Sequence, residues 1–126
     1  MIDFLRSRLR SFGPAFEGWW YVLRTQQNAW IHALFSILAI FMSWWLQLER
    51  RDWVLILLII GLVWMAEFIN TALEAIVDLA SPRNHPLAKV GKDIGAAAVL
   101  IAAISAVIVG TLVLGPPLWE KYLDLI

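Results

Sequence analysis

Hydrophobic positions recur at helical spacing from the start of the chain. Ile2, Leu5, Leu9 and Phe12 share one face, with Arg6 and Arg10 on its flank. That pattern predicts a short amphipathic helix lying on an anionic membrane surface. Gly13-Pro14 interrupts it, and Phe16, Trp19, Trp20 and Leu23 resume the spacing over Ala15 to Arg24, so residues 1–27 read as a surface region. From about Ala29 to Leu48 the only polar groups are His32, Ser36, Ser43 and Gln47, which predicts a first transmembrane helix over 29–48. Glu49-Arg50-Arg51-Asp52 reads as a tight charged turn. A second span is expected over 53–80. It is longer than the ~20 residues a bilayer needs, so its last turns must tilt or emerge. Ser81-Pro82 ends it, and Asn84-His85-Pro86 reads as a loop. Pro86 and Leu87 open a short helix leading into a third span over 94–114, which carries no charge. Gly115-Pro116-Pro117 is expected to end that span and leave Leu118 to Ile126 as a short amphipathic tail.

The expected architecture is therefore an all-α membrane protein: a surface helix and three transmembrane helices in a single domain, 1–126. Two patterns add to it. Ala98, Ala102, Ala106 and Gly110, four apart in the third span, form a stripe of small residues that lets another helix approach closely. In the second span Glu67, Asn70, Thr71, Glu74 and Asp78 fall on one helical face within otherwise apolar sequence. A carboxylate inside a membrane segment costs on the order of 3 kcal/mol, so three on one face call for cations or a task. Lys89, Lys92 and Asp93 follow at the start of the next apolar segment.

Composition agrees with a membrane setting. Hydrophobic residues make up 61% of the chain and charged residues 16%, against about a quarter charged in soluble proteins. Net charge is zero, which gives a nucleic-acid role no support. There is no cysteine, which excludes disulfides, thiol nucleophiles and cysteine metal sites. Most of the eight Trp lie near the ends of expected segments, as interfacial anchors do. The first residues lack the pattern of a signal peptide. Arg6, Arg8, Arg10, Arg24, Arg83, Lys89 and Lys92 fall on one expected side, and Arg50, Arg51 and Lys121 on the other. The excess predicts a cytoplasmic N-terminus, with the polar face of the second span opening toward the cytoplasm.

The row of polar residues allows several chemistries. Glu67, the deeper and partly desolvated carboxylate, suits proton abstraction. Glu74 with Asp78 could hold a cation that carries phosphate oxygens. Lys92 could balance phosphate charge, and Asn70 could orient a phosphate or a hydroxyl. That array fits phosphoryl transfer, which needs positioning and charge neutralisation above all. The same residues could instead be structural partners of neighbouring cations, or line an ion or proton path. His85 reads as a loop residue, and His32 as a polar contact near the interface. Gly91-Lys92-Asp93 lacks the upstream glycine and following Ser or Thr of a P-loop.

The stretch from Glu67 to Asp78, Glu-Phe-Ile-Asn-Thr-Ala-Leu-Glu-Ala-Ile-Val-Asp, resembles the signature of the small prokaryotic integral-membrane lipid kinases, the diacylglycerol kinase and undecaprenol kinase family. The likeness continues from His85 to Leu100, and Ala15 to Gly18, Asn28 and Ile31-His32 fit the N-terminal pattern. The resemblance implies a homotrimer in the bacterial inner membrane with active sites shared between subunits. It also implies ATP and Mg²⁺ as co-substrate and cofactor, and transfer of phosphate to a lipid hydroxyl. It makes Glu67 the general base and Glu74 a metal ligand, and puts Asn70, Glu74, Asp78, His85, Lys92, Asp93 and Glu17 at the nucleotide. Where the family has a second metal-binding glutamate this chain has Gln26, which keeps a carbonyl oxygen and loses a charge. Ile31-His32, His85 to Lys89 and Ala96 look more like the undecaprenol branch; diacylglycerol is the alternative substrate. An inactive member with a structural role, and an ion-conducting trimer, are the other readings.

Overall fold

The computed structural model describes residues 12–81 and 85–125; the amphipathic segment expected before Phe12 falls largely outside them. Among these residues all regular structure is helical: α1 (Phe12–Thr25), α2 (Gln27–Trp45), α3 (Arg50–Ala80) and α4 (Pro86–Leu123). The last three are long and apolar enough to cross a membrane, so the chain is an all-α membrane protein with three spans.

Gly13 and Pro14 occupy the first turn of α1, where a missing N–H costs little. Trp19 of α1 packs against Trp64 and Phe68 of α3, with ring centroids 4.7 Å away in each case. Gln26 alone separates α1 from α2. Its extended backbone (φ −105°, ψ 114°) turns the chain into the first span.

The α2–α3 reversal differs from the charged turn expected at 49–52. It is made by residues 46–49, where Gln47 takes a left-handed φ of 54°. The amides of Gln47 and Leu48 donate back to the carbonyls of Trp44 and Ser43, both at 3.1 Å. That closure satisfies the end of α2. Arg50, Arg51 and Asp52 are therefore the first turn of α3, where the Asp52 carboxylate suits the positive end of the helix dipole.

α4 departs further from expectation. The short helix expected at Pro86-Leu87 and the third span are one continuous helix. It begins at Pro86, with His85 as cap, and runs through Gly115-Pro116-Pro117 to Leu123. The two prolines remove two backbone donors and crowd the carbonyls one turn back, a cost that membrane helices tolerate where neighbouring groups re-satisfy the backbone. The extended end is fastened to α2. Lys121 Nζ donates to the Trp45 carbonyl at 3.0 Å and lies 4.2 Å from the centre of the Trp45 ring.

α3 and α4 form the main interface and run antiparallel: Asn70 faces Gly95, Val77 faces Gly91 and Asp78 meets Lys92. Gly95, Val99 and Ala102 are the buried residues of α4. The small-residue stripe is thus divided. Ala102 is buried within the subunit, Ala106 and Gly110 line an apolar groove beside α2, and Ala98 is exposed.

Candidate functional site

Three contacts order α2 against α3 as rungs of one antiparallel pairing. Gln26 reaches Glu74, His32 faces Glu67, and Ser36 accepts from the Trp64 indole N–H at 3.1 Å. The polar face of α3 is thereby covered by α2 along one edge and by α4 along the other.

Glu67 sits deepest and is only 1% exposed. Its Oε2 lies 3.6 Å from His32 Nε2, and neither atom has a hydrogen-bond partner. Thr71, one turn on, spends its hydroxyl on the Glu67 carbonyl at 2.8 Å. The Thr71 hydroxyl proton is therefore committed to its own helix, and only the oxygen lone pairs are left for a ligand. Glu74, two turns from Glu67, has both carboxylate oxygens engaged by amides. Asn70 Nδ2 donates to Oε1 at 3.1 Å and Gln26 Nε2 donates to Oε2 at 3.3 Å. Gln26 stands at the N-cap of α2, yet its side chain makes no cap bond and turns to α3 instead. The carbonyl oxygen of Asn70 points at α4, where a Cβ on Gly95 would come within 2.3 Å of it. Glycine at 95 is what leaves room for the amide.

The edge of the site is built from ion pairs. Lys92 Nζ donates to Asp78 Oδ1 at 2.9 Å. Asp93 pairs with Lys89 on the exposed side of α4 and does not join Lys92. His85 Nδ1 accepts from the Leu87 amide at 3.2 Å, so this side chain caps α4. Glu17 is exposed on α1, and among the described residues no hydrogen bond or ion pair links it to Glu74, Gln26 or Lys92. Of the residues singled out in the sequence, Gln26, Glu67, Asn70, Glu74, Asp78 and Lys92 form one continuous strip. Asp93 and His85 border it, and Glu17 stands apart. Sequence reasoning missed His32 and Gly95. The signal for His32 was the α2–α3 register: once Gln26 meets Glu74, a residue two turns further along α2 must face Glu67.

No three Asp, Glu or His side chains cluster among the described residues, so a cage made only of protein carboxylates is not present. The donor set does fit Mg²⁺ shared with a substrate. Glu74 supplies one carboxylate, to which Gln26 and Asn70 present their amide N–H₂ groups. Rotating the Gln26 amide by half a turn would set its carbonyl oxygen beside that carboxylate, and Mg²⁺ is commonly held by one or two carboxylates together with phosphate oxygens.

Comparison with known proteins gives this strip its setting. The sequence model of the family described as prokaryotic diacylglycerol kinase matches residues 13–114. The undecaprenol kinase of Bacillus subtilis is 37% identical over 109 residues, which is 86% of this chain and 89% of that protein. A diacylglycerol kinase of Synechocystis is 44% identical over 111 residues, 87% of this chain and 63% of that protein. The diacylglycerol kinase of Escherichia coli is 42% identical over 72 residues, 57% of this chain and 59% of that protein. The chain belongs to the prokaryotic diacylglycerol kinase family. It is a lipid kinase, an activity that takes its phosphoryl group from ATP.

Proposed function

We propose that this chain transfers the γ-phosphate of ATP to the primary hydroxyl of undecaprenol at the cytoplasmic face of the bacterial inner membrane. In this reading the N-terminus is cytoplasmic, α1 lies on the membrane surface, and three copies assemble as a homotrimer. Residues 1–126 then act as a single lipid-kinase domain with membrane-embedded parts at 29–48, 53–80 and 94–114.

The observation that carries the reading is the order of groups along α3. A buried carboxylate with an unpartnered oxygen, Glu67, lies two turns from an amide-bound carboxylate, Glu74, and a paired lysine, Lys92, stands at the rim. A lipid hydroxyl arrives from the apolar side and phosphates arrive from water. Glu67 takes the hydroxyl proton as the lipid oxygen bonds to the γ-phosphorus. The bond from that phosphorus to ADP breaks, and ADP keeps the electron pair. Glu74 would hold Mg²⁺ with the carbonyl oxygen of Gln26 once that amide turns, Asn70 would orient the carboxylate through its N–H₂, and the ion, when bound, supplies neutralisation of phosphate charge. Lys92, steered by Asp78, meets the remaining phosphate charge, and His85, Asp93 and Glu17 complete the nucleotide-binding set.

Undecaprenol is favoured over diacylglycerol because the Bacillus subtilis undecaprenol kinase is 37% identical over 89% of its length, while the Pseudomonas aeruginosa diacylglycerol kinase, matched over 91% of its length, is 30% identical. Both lipids present a primary hydroxyl on an apolar body, and the 44% identity to the Synechocystis protein keeps diacylglycerol as the second reading. Incubating the protein in detergent micelles with labelled ATP, Mg²⁺ and a panel of lipid alcohols tests the proposal. Label is expected to enter undecaprenol fastest. Faster labelling of diacylglycerol would move the assignment to that lipid, and no labelling of any alcohol would make this an inactive member.

A further inference from the structure

His32 is the one titratable residue of α2, and nothing in the reaction as described so far uses it. It is not placed at random. Its Nε2 and Glu67 Oε2 face each other at 3.6 Å, both buried and both without a hydrogen bond. That separation exceeds the ~3.2 Å limit of a good N–H···O bond, and two buried polar atoms left unpaired are costly. The imidazole is also held from behind. Its ring stands edge-on to Trp64 at 6.4 Å and 70°, and the Trp64 indole is itself tied to Ser36.

The His32 side of the pair has an apolar approach, and Glu67 lies just behind it, outside the groove. A groove of about 510 Å³ begins at His32 and runs between α2, α3 and α4 past Phe35, Ala39, Ile60 and Ala106. A group arriving along this path meets His32 first and reaches Glu67 Oε2 only past it; a polar head on a hydrocarbon body suits both the apolar walls and the unpaired atoms at the end. A hydroxyl meets both atoms at once, because it donates its proton to a carboxylate and accepts from an imidazole N–H.

We propose that His32 is a substrate-positioning residue: its Nε2–H donates to the acceptor oxygen of the lipid and holds the hydroxyl proton on Glu67 Oε2. The inference rests on the lipid-kinase reading above. One lone pair of the hydroxyl oxygen is occupied by His32, and the other is left aimed at the γ-phosphorus. In the transfer the O–P bond forms, the P–O bond to ADP breaks with its electron pair leaving on ADP, and the proton passes to Glu67. His32 keeps its own proton throughout, so a neutral side chain with an N–H at the same reach can replace it.

The test compares the full-length protein with His32→Leu and His32→Gln in micelles containing Mg²⁺-ATP and undecaprenol or diacylglycerol. His32→Leu is expected to lower kcat/KM for the lipid roughly 10- to 100-fold, with the KM for ATP unchanged. His32→Gln, whose amide N–H reaches the position of imidazole Nε2, is expected to recover most of that loss. Unchanged lipid kinetics in His32→Leu would overturn the inference. So would equal damage in the two variants, which would make His32 a proton carrier or a space filler, and so would a parallel rise in the KM for ATP. An original protein inert toward every lipid alcohol overturns the kinase reading and this inference with it. An active original protein beside an equally active His32→Leu overturns this inference alone.

Discussion

Gln26 decides how Glu74 is held. Its amide N–H₂ donates to one carboxylate oxygen while Asn70 donates to the other, so Glu74 is held by amide dipoles, with no cation at ion-pair distance among the described residues. A glutamate at 26 would place a second carboxylate against the first, a repulsion that only a cation relieves. Gln26→Glu is therefore expected to shift the dependence of initial rate on Mg²⁺ to lower concentration, with turnover equal to or above that of the original protein. Superimposable Mg²⁺ titrations would take Gln26 out of the site and leave it as a bend residue between α1 and α2. Glu67 makes a different demand. Its buried carboxylate must accept a proton, and Glu67→Gln keeps the size while losing the base. Losses of this kind are typically ~10²–10⁴-fold. The drop is expected in kcat, measured at saturating lipid, while the KM for ATP stays as it is. Near-normal turnover in a folded protein would give the base role to another group.

At the scale of elements, the α2–α3 reversal stores conformational cost at one residue. Gln47 sits at φ 54°, a region that disfavours side chains with a Cβ. Glycine accepts that angle and loses more freedom on folding, so Gln47→Gly should stabilise the protein by about 0.5–1 kcal/mol net. A raised thermal midpoint in detergent checks this, and a lowered one would mean that the Gln47 side chain makes a contact worth more than the strain. This turn also marks where sequence patterning stops being informative. Three spans are legible because apolar runs longer than the bilayer leave no other assignment. The row Glu67, Asn70, Thr71, Glu74 is legible because it keeps helical period inside an apolar run. The reversal is not, because a charge cluster at 49–52 looks like a turn, while the geometry is set by the last carbonyls of α2. The passage of α4 through Pro116 and Pro117 is not either. Local propensity ends the helix there, and a contact from Lys121 to Trp45, 76 residues distant in sequence, carries it on. Long-range partners are the general gap: Glu74 is visible from helical period, whereas Gln26, 48 residues earlier, enters the site only through the family resemblance, as a metal position and not as a hydrogen-bond donor to Glu74.

At the scale of the whole molecule, most of the apolar surface of α2 and α4 has no partner within the chain. Trp30, Leu34, Phe41, Ile101, Val107 and Leu112 are all exposed, as suits lipid or neighbouring copies. The site itself is unevenly supplied. Gln26, His32, Glu67, Asn70, Glu74, Asp78 and Lys92 come together within one chain, but Glu17 is exposed on α1 and, among the described residues, makes no hydrogen bond or ion pair to them. In the proposed trimer, Glu17 is expected to serve a neighbour's nucleotide site. Glu17→Ala and Glu74→Gln should then each be impaired alone and recover when mixed. Each site would draw Glu74 from one subunit and Glu17 from the next, so an equal, random mixture would present both intact in about one site in four. The measurement is phosphorylation of the lipid after the two variants are combined and reassembled in detergent. Glu67→Gln mixed with Glu74→Gln is the internal comparison, because both lie on α3 of one chain and no exchange of subunits can reunite them. Recovery in the first mixture and none in the second is the expected result. Full activity of Glu17→Ala by itself would remove Glu17 from the site. A first mixture as inactive as its parts would confine each site to a single chain.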